Sequence, residues 1–142
     1  MLKGIDPILG PELLAALRAM GHGDEIAIVD ANYPAVTDAR RLIRMDGHDA
    51  VTLLDAVLSL LPLDDFVPAA AFRPAAGGDP DRAEPIFAEF ATTIARREPG
   101  FAPVPLVGLA FYDRVRAAFA VVASGERRLY GNIILRKGVI RP

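Results

Sequence analysis

An α/β layer fold, with one central sheet flanked by helices, is what this sequence predicts, and three observations predict it. Short apolar runs such as Ile26-Ala27-Ile28-Val29 and Ala120-Val121-Val122-Ala123 read as strands buried on both faces. Segments with apolar residues at helical spacing alternate with these runs. The 142 residues, 52% hydrophobic and 24% charged, fit a single domain over 1–142 with material for a core.

The elements follow in order. Gly10-Pro11-Glu12 opens a first helix with proline in its first turn, where the missing N–H costs nothing. Leu13, Leu14 and Leu17 form its apolar stripe, and Gly21 is the expected C-terminal cap. Glu25 to Asp30 reads as the first strand. Tyr33-Pro34 predicts a loop, because a residue before proline avoids the helical region. Leu42 to Met45 is a shorter strand. Asp49 caps a second helix carrying Leu53, Leu54, Val57, Leu58 and Leu61, which Pro62 ends. His48, in the turn before it, reads as a helix-entry or surface residue.

Phe66 to Phe72 is a further expected strand, and Pro68 puts it at an edge or an irregular start. Pro74 to Pro80 is a loop around Gly77-Gly78. Pro85 to Arg97 predicts an amphipathic helix with basic residues in its last turn. Phe111 to Ala118 reads as helix, Phe119 to Ala123 as a core strand and Asn132 to Leu135 as a final strand. A polar turn, Gly125 to Gly131, joins the last two. Phe111, Tyr112 and Phe119 read as core or subunit contacts.

Composition removes several functions. Lys and Arg total 16 against 18 Asp and Glu, a net charge of -2, with none of the clustered positive excess of a nucleic-acid binder. There is no cysteine, so disulfides, thiolate metal sites and a cysteine nucleophile are absent. Such a chain suits a reducing cytosol and equally an export compartment. The start, Met1 to Pro7, has no apolar signal region. No run approaches the roughly 18 apolar residues of a membrane span, and the best, Val51 to Leu61, carries Asp55. A soluble, cytoplasmic protein with no membrane or nucleic-acid partner is expected.

The supply of reactive side chains is narrow. Of two serines, Ser59 lies in the apolar second helix and Ser124 lacks nucleophile-elbow glycines, which argues against a serine hydrolase. Neither a Walker pattern nor a strand-coupled Gly-x-Gly-x-x-Gly occurs. His22, Asp24, Asp30 and His48 are metal-ligand types, but no histidine pair has ligand spacing, so no metal is expected.

Three polar clusters beside turns remain. In Gly21-His22-Gly23-Asp24 the flanking glycines let a small molecule approach an imidazole that can exchange protons near neutral pH. Asp24 could orient that ring; alternatively His22 only finishes a helix. Asp30 leaves the first strand in Asp30-Ala31-Asn32-Tyr33-Pro34, placed to bind hydroxyls or simply to make a turn. Tyr33 in that stretch could stack on a ligand or pack under its loop. Tyr130-Gly131-Asn132 offers a phenol, a backbone N–H and an amide, a donor and acceptor set for a polyhydroxylated ligand or for an ordinary turn.

Taken together, these clusters resemble the D-ribose pyranase and L-fucose mutarotase family, closer to its fucose branch. The resemblance runs through Leu2-Lys3-Gly4-Ile5, Pro11-Glu12-Leu13-Leu14, Met20 to Glu25, Asp30 to Ala35, Ala110-Phe111-Tyr112, Gly125-Glu126-Arg127 and Tyr130 to Leu135. It implies a small α/β fold assembling into ring oligomers, typically decamers, and an isomerase interconverting cyclic forms of a free monosaccharide. It also implies His22 as the catalytic proton donor, Asp30 as a substrate ligand and Tyr130, Gly131 and Asn132 as the C-terminal ligand segment, with Asp24 in a supporting role. Where the family carries a basic residue, this chain has Gly108, which leaves the sugar open.

The chemistry fits the residues. Ring opening needs a base for the anomeric hydroxyl proton and an acid for the ring oxygen, and no cofactor. His22 is the expected acid or base, with Tyr130, or a water held by Asp24 or Asp30, as its complement. A sugar-binding accessory without turnover is the competing reading. An extended Glu25 to Asp30 would span about 17 Å, at roughly 3.3 Å per residue, with His22 and Asp30 near its opposite ends. Either the chain bends between them or the pocket is shared between protomers.

Overall fold

Two-residue alternation along the strands sorts the side chains into two cores. On β1 (Glu25–Val29), Ile26 and Ile28 face one way and Ala27 and Val29 the other. β5 (Ala120–Ser124) and β6 (Ile133–Arg136) repeat the division, with Val122, Ile133 and Leu135 on the first face and Val121, Ala123 and Ile134 on the second. The first, larger core takes α1 (Pro11–Ala19), α3 (Ala50–Leu58) and α4 (Pro85–Arg97), centred on Leu13, Leu53, Leu54 and Phe90. Phe111 and Val115 of α5 (Ala110–Ala117), with Ala35 of α2 (Ala35–Asp38), cover the second. This computed structural model describes residues 1–142.

The sheet is mixed, in the order β2-β5-β1-β6-β3-β4, with β2 at Leu42–Met45, β3 at Ala71–Pro74 and β4 at Val104–Leu106. β5 pairs in parallel with both β1 and β2, and β3 pairs in parallel with β4. β6 lies between β1 and β3, antiparallel to both. Its register sets Arg136 opposite Glu25 and Ile133 opposite Ile28. The chain entering β6 therefore passes the exit of β1, and the chain leaving β6 passes its entrance.

Local chemistry explains the helix ends. Pro11 starts α1, and the Asp49 carboxylate caps α3 by accepting the Thr52 N–H at 2.8 Å. α1 stops at Ala19 with Met20, not Gly21, as its cap residue. The Lys137 ammonium donates to the carbonyls of Leu17 and Met20, so a distant cation finishes this helix in place of a glycine turn.

Four other differences from the sequence reading stand out. The expected strand at Phe66 to Phe72 forms later, at Ala71–Pro74, because its pairing to β6 begins only at Ala71. α2, four residues directly after Pro34, is too short to show a helical stripe. β4 contains Pro105, which its position at the sheet edge tolerates. Inside the Pro74 to Pro80 loop, Ala76–Gly78 forms one 3-10 turn.

Candidate active site

Ligands of parallel sheets gather outside the carboxyl ends of the strands. Asp30 leaves β1 at that end, and Asn132 enters β6 beside it. Their side chains grip reciprocally: the Asp30 N–H donates to Asn132 Oδ1 at 2.7 Å, and Asn132 Nδ2 donates to Asp30 Oδ2 at 2.8 Å. The Asn32 N–H completes the set at Asp30 Oδ1. Both residues are buried. Burial pushes the Asp30 carboxyl above its ordinary range; the bonds from Asn32 and Asn132 work against that shift, and the charge of Glu126 adds to it.

Tyr130 is the one non-glycine residue with left-handed backbone, at φ 60°, a conformation bulky residues avoid. Its phenol oxygen accepts the Gly77 N–H at 3.1 Å. Gly131 has no room for a side chain, since a Cβ there would lie 2.6 Å from Glu126 Cγ and 3.1 Å from the Arg128 carbonyl. Glu126 in turn holds Arg128 through both carboxylate oxygens.

Next to these groups is a cavity of about 330 Å³, lined by Tyr33, Gly108, Phe111, Tyr112, Tyr130 and Asn132 among others. That volume is at the small end of ligand sites, which span roughly 300–1,000 Å³. Tyr33 stacks on Tyr112 with centroids 5.4 Å apart and donates its hydroxyl to Asp38 at 2.8 Å. Burial and Asp38 push its phenol well above the ordinary range, so it stays neutral. Tyr112, expected as core or a subunit contact, is 39% exposed and lines this cavity, whereas Phe111 is buried. Gly108 turns there at φ 61°, with open space where a side chain would start. A larger groove of about 500 Å³ between Leu2, Leu14, Leu60 and Ile140 lies outside this cluster and is mostly apolar.

His22 stands at the other end of β1, before the strand begins. Its Nε2 lies 3.0 Å from Asp64 Oδ1, and Phe66 packs against the ring with centroids 5.2 Å apart. The imidazole is 46% exposed while the Asp64 side chain is completely buried. Asp64 also accepts the Phe66 N–H and, through Oδ2, Arg136 Nε at 2.9 Å. Burial pushes the Asp64 carboxyl upward, but Arg136, the Phe66 N–H and His22 together outweigh it and hold it at about 2.

Asp24, expected to orient the imidazole, accepts the Gly21 N–H instead, and Asp64 is the carboxylate on the ring. Sequence reading missed Asp64 because it sits 42 positions from His22 in an ordinary Leu63-Asp64-Asp65-Phe66 turn. Only the bridge of Leu63 to Lys137 brings it alongside β6. Asp30, Tyr130 and Asn132 thus come together within one chain, and His22 is separated from them by the length of β1, roughly 17 Å at 3.3 Å per residue. No group of three histidine, aspartate or glutamate side chains is arranged to hold a metal ion. No helix is long and apolar enough to cross a membrane.

A mixed sheet with a central antiparallel β6 and polar clusters at both ends of β1 defines a small layered α/β protein, and residues 3–140 match the RbsD / FucU transport protein family, to which the chain belongs. It is 45% identical over 145 residues to the fucose mutarotase of Homo sapiens, covering 98% of this chain and 94% of that one. Identity to the L-fucose mutarotase of Glaesserella parasuis is also 45%, over 98% of this chain and 96% of the relative. The crystal structure of the Streptococcus pneumoniae fucose mutarotase in complex with L-fucose superimposes with a TM-score of 0.89 at 40% identity, over 99% of this chain and all of that one.

Proposed function

We propose that the chain is a cytoplasmic monosaccharide mutarotase, an isomerase that opens and recloses the hemiacetal ring of a free sugar by proton transfer. The observation that carries this reading is the half-exposed His22 imidazole backed by a fully buried, ionised Asp64. Such a ring can exchange protons with a ligand while its own orientation is held. In its imidazolium form, with a hydrogen on each ring nitrogen, His22 protonates the ring oxygen as its bond to the anomeric carbon breaks, and a partner takes the anomeric hydroxyl proton. A water held by Asp30 fills that second role and passes the proton to the carboxylate, or Tyr130 relays the proton to such a water. The aldehyde rotates and recloses on its other face, with the protons returned.

Asp30, Gly131, Asn132 and Tyr130 bind the sugar in this reading. Each carboxylate oxygen has two lone-pair sites, so Asp30 can accept a sugar hydroxyl while keeping its bonds to Asn32 and Asn132. The length of β1 keeps His22 and Asp30 of one chain from clasping the same monosaccharide. The active site is therefore completed by a neighbouring copy, as a ring oligomer, typically a decamer, provides.

L-Fucose is the first substrate to test, because the relatives above are named for it and one is described in complex with it. D-Ribose is the second. The experiment is two-dimensional exchange NMR on L-fucose, D-ribose and related free sugars. Accelerated anomer or ring-form exchange on one of them supports the proposal. Binding without acceleration on every sugar would make the chain a sugar-binding accessory instead.

A further inference from the structure

The carboxylate on His22 is itself held from behind. Asp64 Oδ2 takes Arg136 Nε at 2.9 Å, and Arg136 Nη1 lies 3.8 Å from Glu25 Oε1. Glu25 is clamped by Arg114, whose Nη2 donates to Oε1 at 2.6 Å and whose Nε is shared between Oε2 at 2.9 Å and Oε1 at 3.1 Å. Arg114 rests on the Phe72 ring, 3.6 Å from its centroid. The antiparallel register of β1 and β6, which puts Glu25 opposite Arg136, builds this chain of alternating charges.

Gly23 belongs to the same device. It has φ 86°, and a Cβ there would sit 3.0 Å from Arg136 Nη2. The glycine following His22 thus makes room for a guanidinium beneath the loop.

We infer that Arg136 is a positioning residue which, through Asp64, keeps a proton on Nε2 of His22 and leaves Nδ1 as the atom that exchanges a proton with the sugar. The argument is one of donors and acceptors. Arginine stays charged and can only donate, so the carboxylate it holds stays ionised and can only accept. The 3.0 Å contact between Asp64 Oδ1 and His22 Nε2 then requires the hydrogen on nitrogen. Nδ1 makes no hydrogen bond within the chain, on a ring that is 46% exposed. The second ring nitrogen of a histidine is commonly set in this way by the bond the first one makes.

This inference rests on the mutarotase reading for the identity of the proton's destination, but its tautomer claim can be read without activity. The experiment records nitrogen-15 NMR of His22 at alkaline pH, where imidazoles are neutral, in the wild type, R136Q and R136K. It is paired with exchange kinetics on L-fucose and with thermal melts to show that each variant folds. The wild type is expected to show a single tautomer protonated at Nε2. R136Q should mix the two tautomers and lose kcat by roughly tenfold or more, less than the 10²–10⁴-fold expected for removing the imidazole itself, with little change in KM. R136K, which still supplies a cation, should keep the tautomer and recover much of kcat. A wild type protonated at Nδ1, or a folded R136Q with unchanged tautomer and kcat, would overturn the inference. A wild type without exchange on any sugar would instead sink the mutarotase reading, and the spectra would still decide what Arg136 does.

Discussion

Asn132 holds Asp30 at two points, its amide oxygen taking the aspartate's backbone N–H and its amide nitrogen meeting the carboxylate. This reciprocal pair joins the exit of β1 to the entrance of β6 across 102 positions of sequence. It orients a buried carboxylate that would otherwise lack a side-chain donor. Asn132→Ala should destabilise the protein by about 1–3 kcal/mol, the usual cost of stranding a buried polar group. It should also weaken sugar binding. Urea unfolding and an NMR titration with L-fucose check the two effects separately.

His22→Ala should remove roughly 10²–10⁴-fold of the acceleration and leave the fold intact, because the ring is half exposed and contributes little to the core. Exchange NMR measures the rate and a thermal melt the fold. Full activity in this variant would remove the proposed mechanism.

The separation of His22 from Asp30 predicts complementation between copies. His22→Ala and Asn132→Ala chains, each impaired alone, should exceed the summed activity of the two when unfolded and refolded together, since some shared sites then combine an intact His22 with an intact Asn132. Activity should also fall when the protein is diluted to monomers. Unchanged specific activity in a monomeric preparation, measured by light scattering, would count against a shared site.

Acid should destabilise the protein through carboxyls held low in the folded state. Asp64 is at about 2 against an ordinary 3.8, and Asp55, bound by Arg97 and Arg96, is likewise at about 2. A carboxyl whose folded value is depressed contributes stability above its unfolded value, and that contribution is lost as pH falls toward the folded one. The melting temperature should therefore drop between about pH 4 and pH 2. Asp30, raised when folded, acts in the opposite sense and at higher pH: its contribution becomes more favourable as pH falls through its folded value toward 3.8, before the loss begins. Asp64→Asn and Asp55→Asn should each flatten the slope in thermal melts over that range.

Gly125→Ala should be among the most damaging small substitutions. A Cβ there would fall 2.1 Å from the Asp46 carbonyl oxygen, a backbone atom that no rotamer change can move. At Gly131 the nearest atom is Glu126 Cγ, which can give a little. Denaturant midpoints should therefore rank Gly125→Ala below Gly131→Ala, each with a loss on the order of 1–3 kcal/mol or more.

Much of the fold is written locally. Pro11, the cap at Asp49 and the apolar runs of β1 and β5 mark their elements through nearest-neighbour effects: a fixed φ, a capping oxygen, strands buried on both faces. α2 and β4 were not legible because four and three residues are too few to display a period. Asp30, Tyr130, Gly131 and Asn132 stand out as polar clusters at turns; in the structure Tyr130 and Asn132 line one cavity together with Tyr112, which reads from the sequence as a packing residue, and Asp30 joins them through its bonds to Asn132.

The sequence by itself determined the class of fold, most of its elements and the residue types able to move a proton or bind a hydroxyl. Only the tertiary structure decided which carboxylate meets the imidazole. Asp24 is two residues from His22 but turns to the Gly21 N–H, while Asp64, 42 residues away, is delivered by the pairing of Leu63 with Lys137. The physical reason is that a charge partner is chosen by distance and burial in space, and the antiparallel entry of β6 between β1 and β3 creates that proximity.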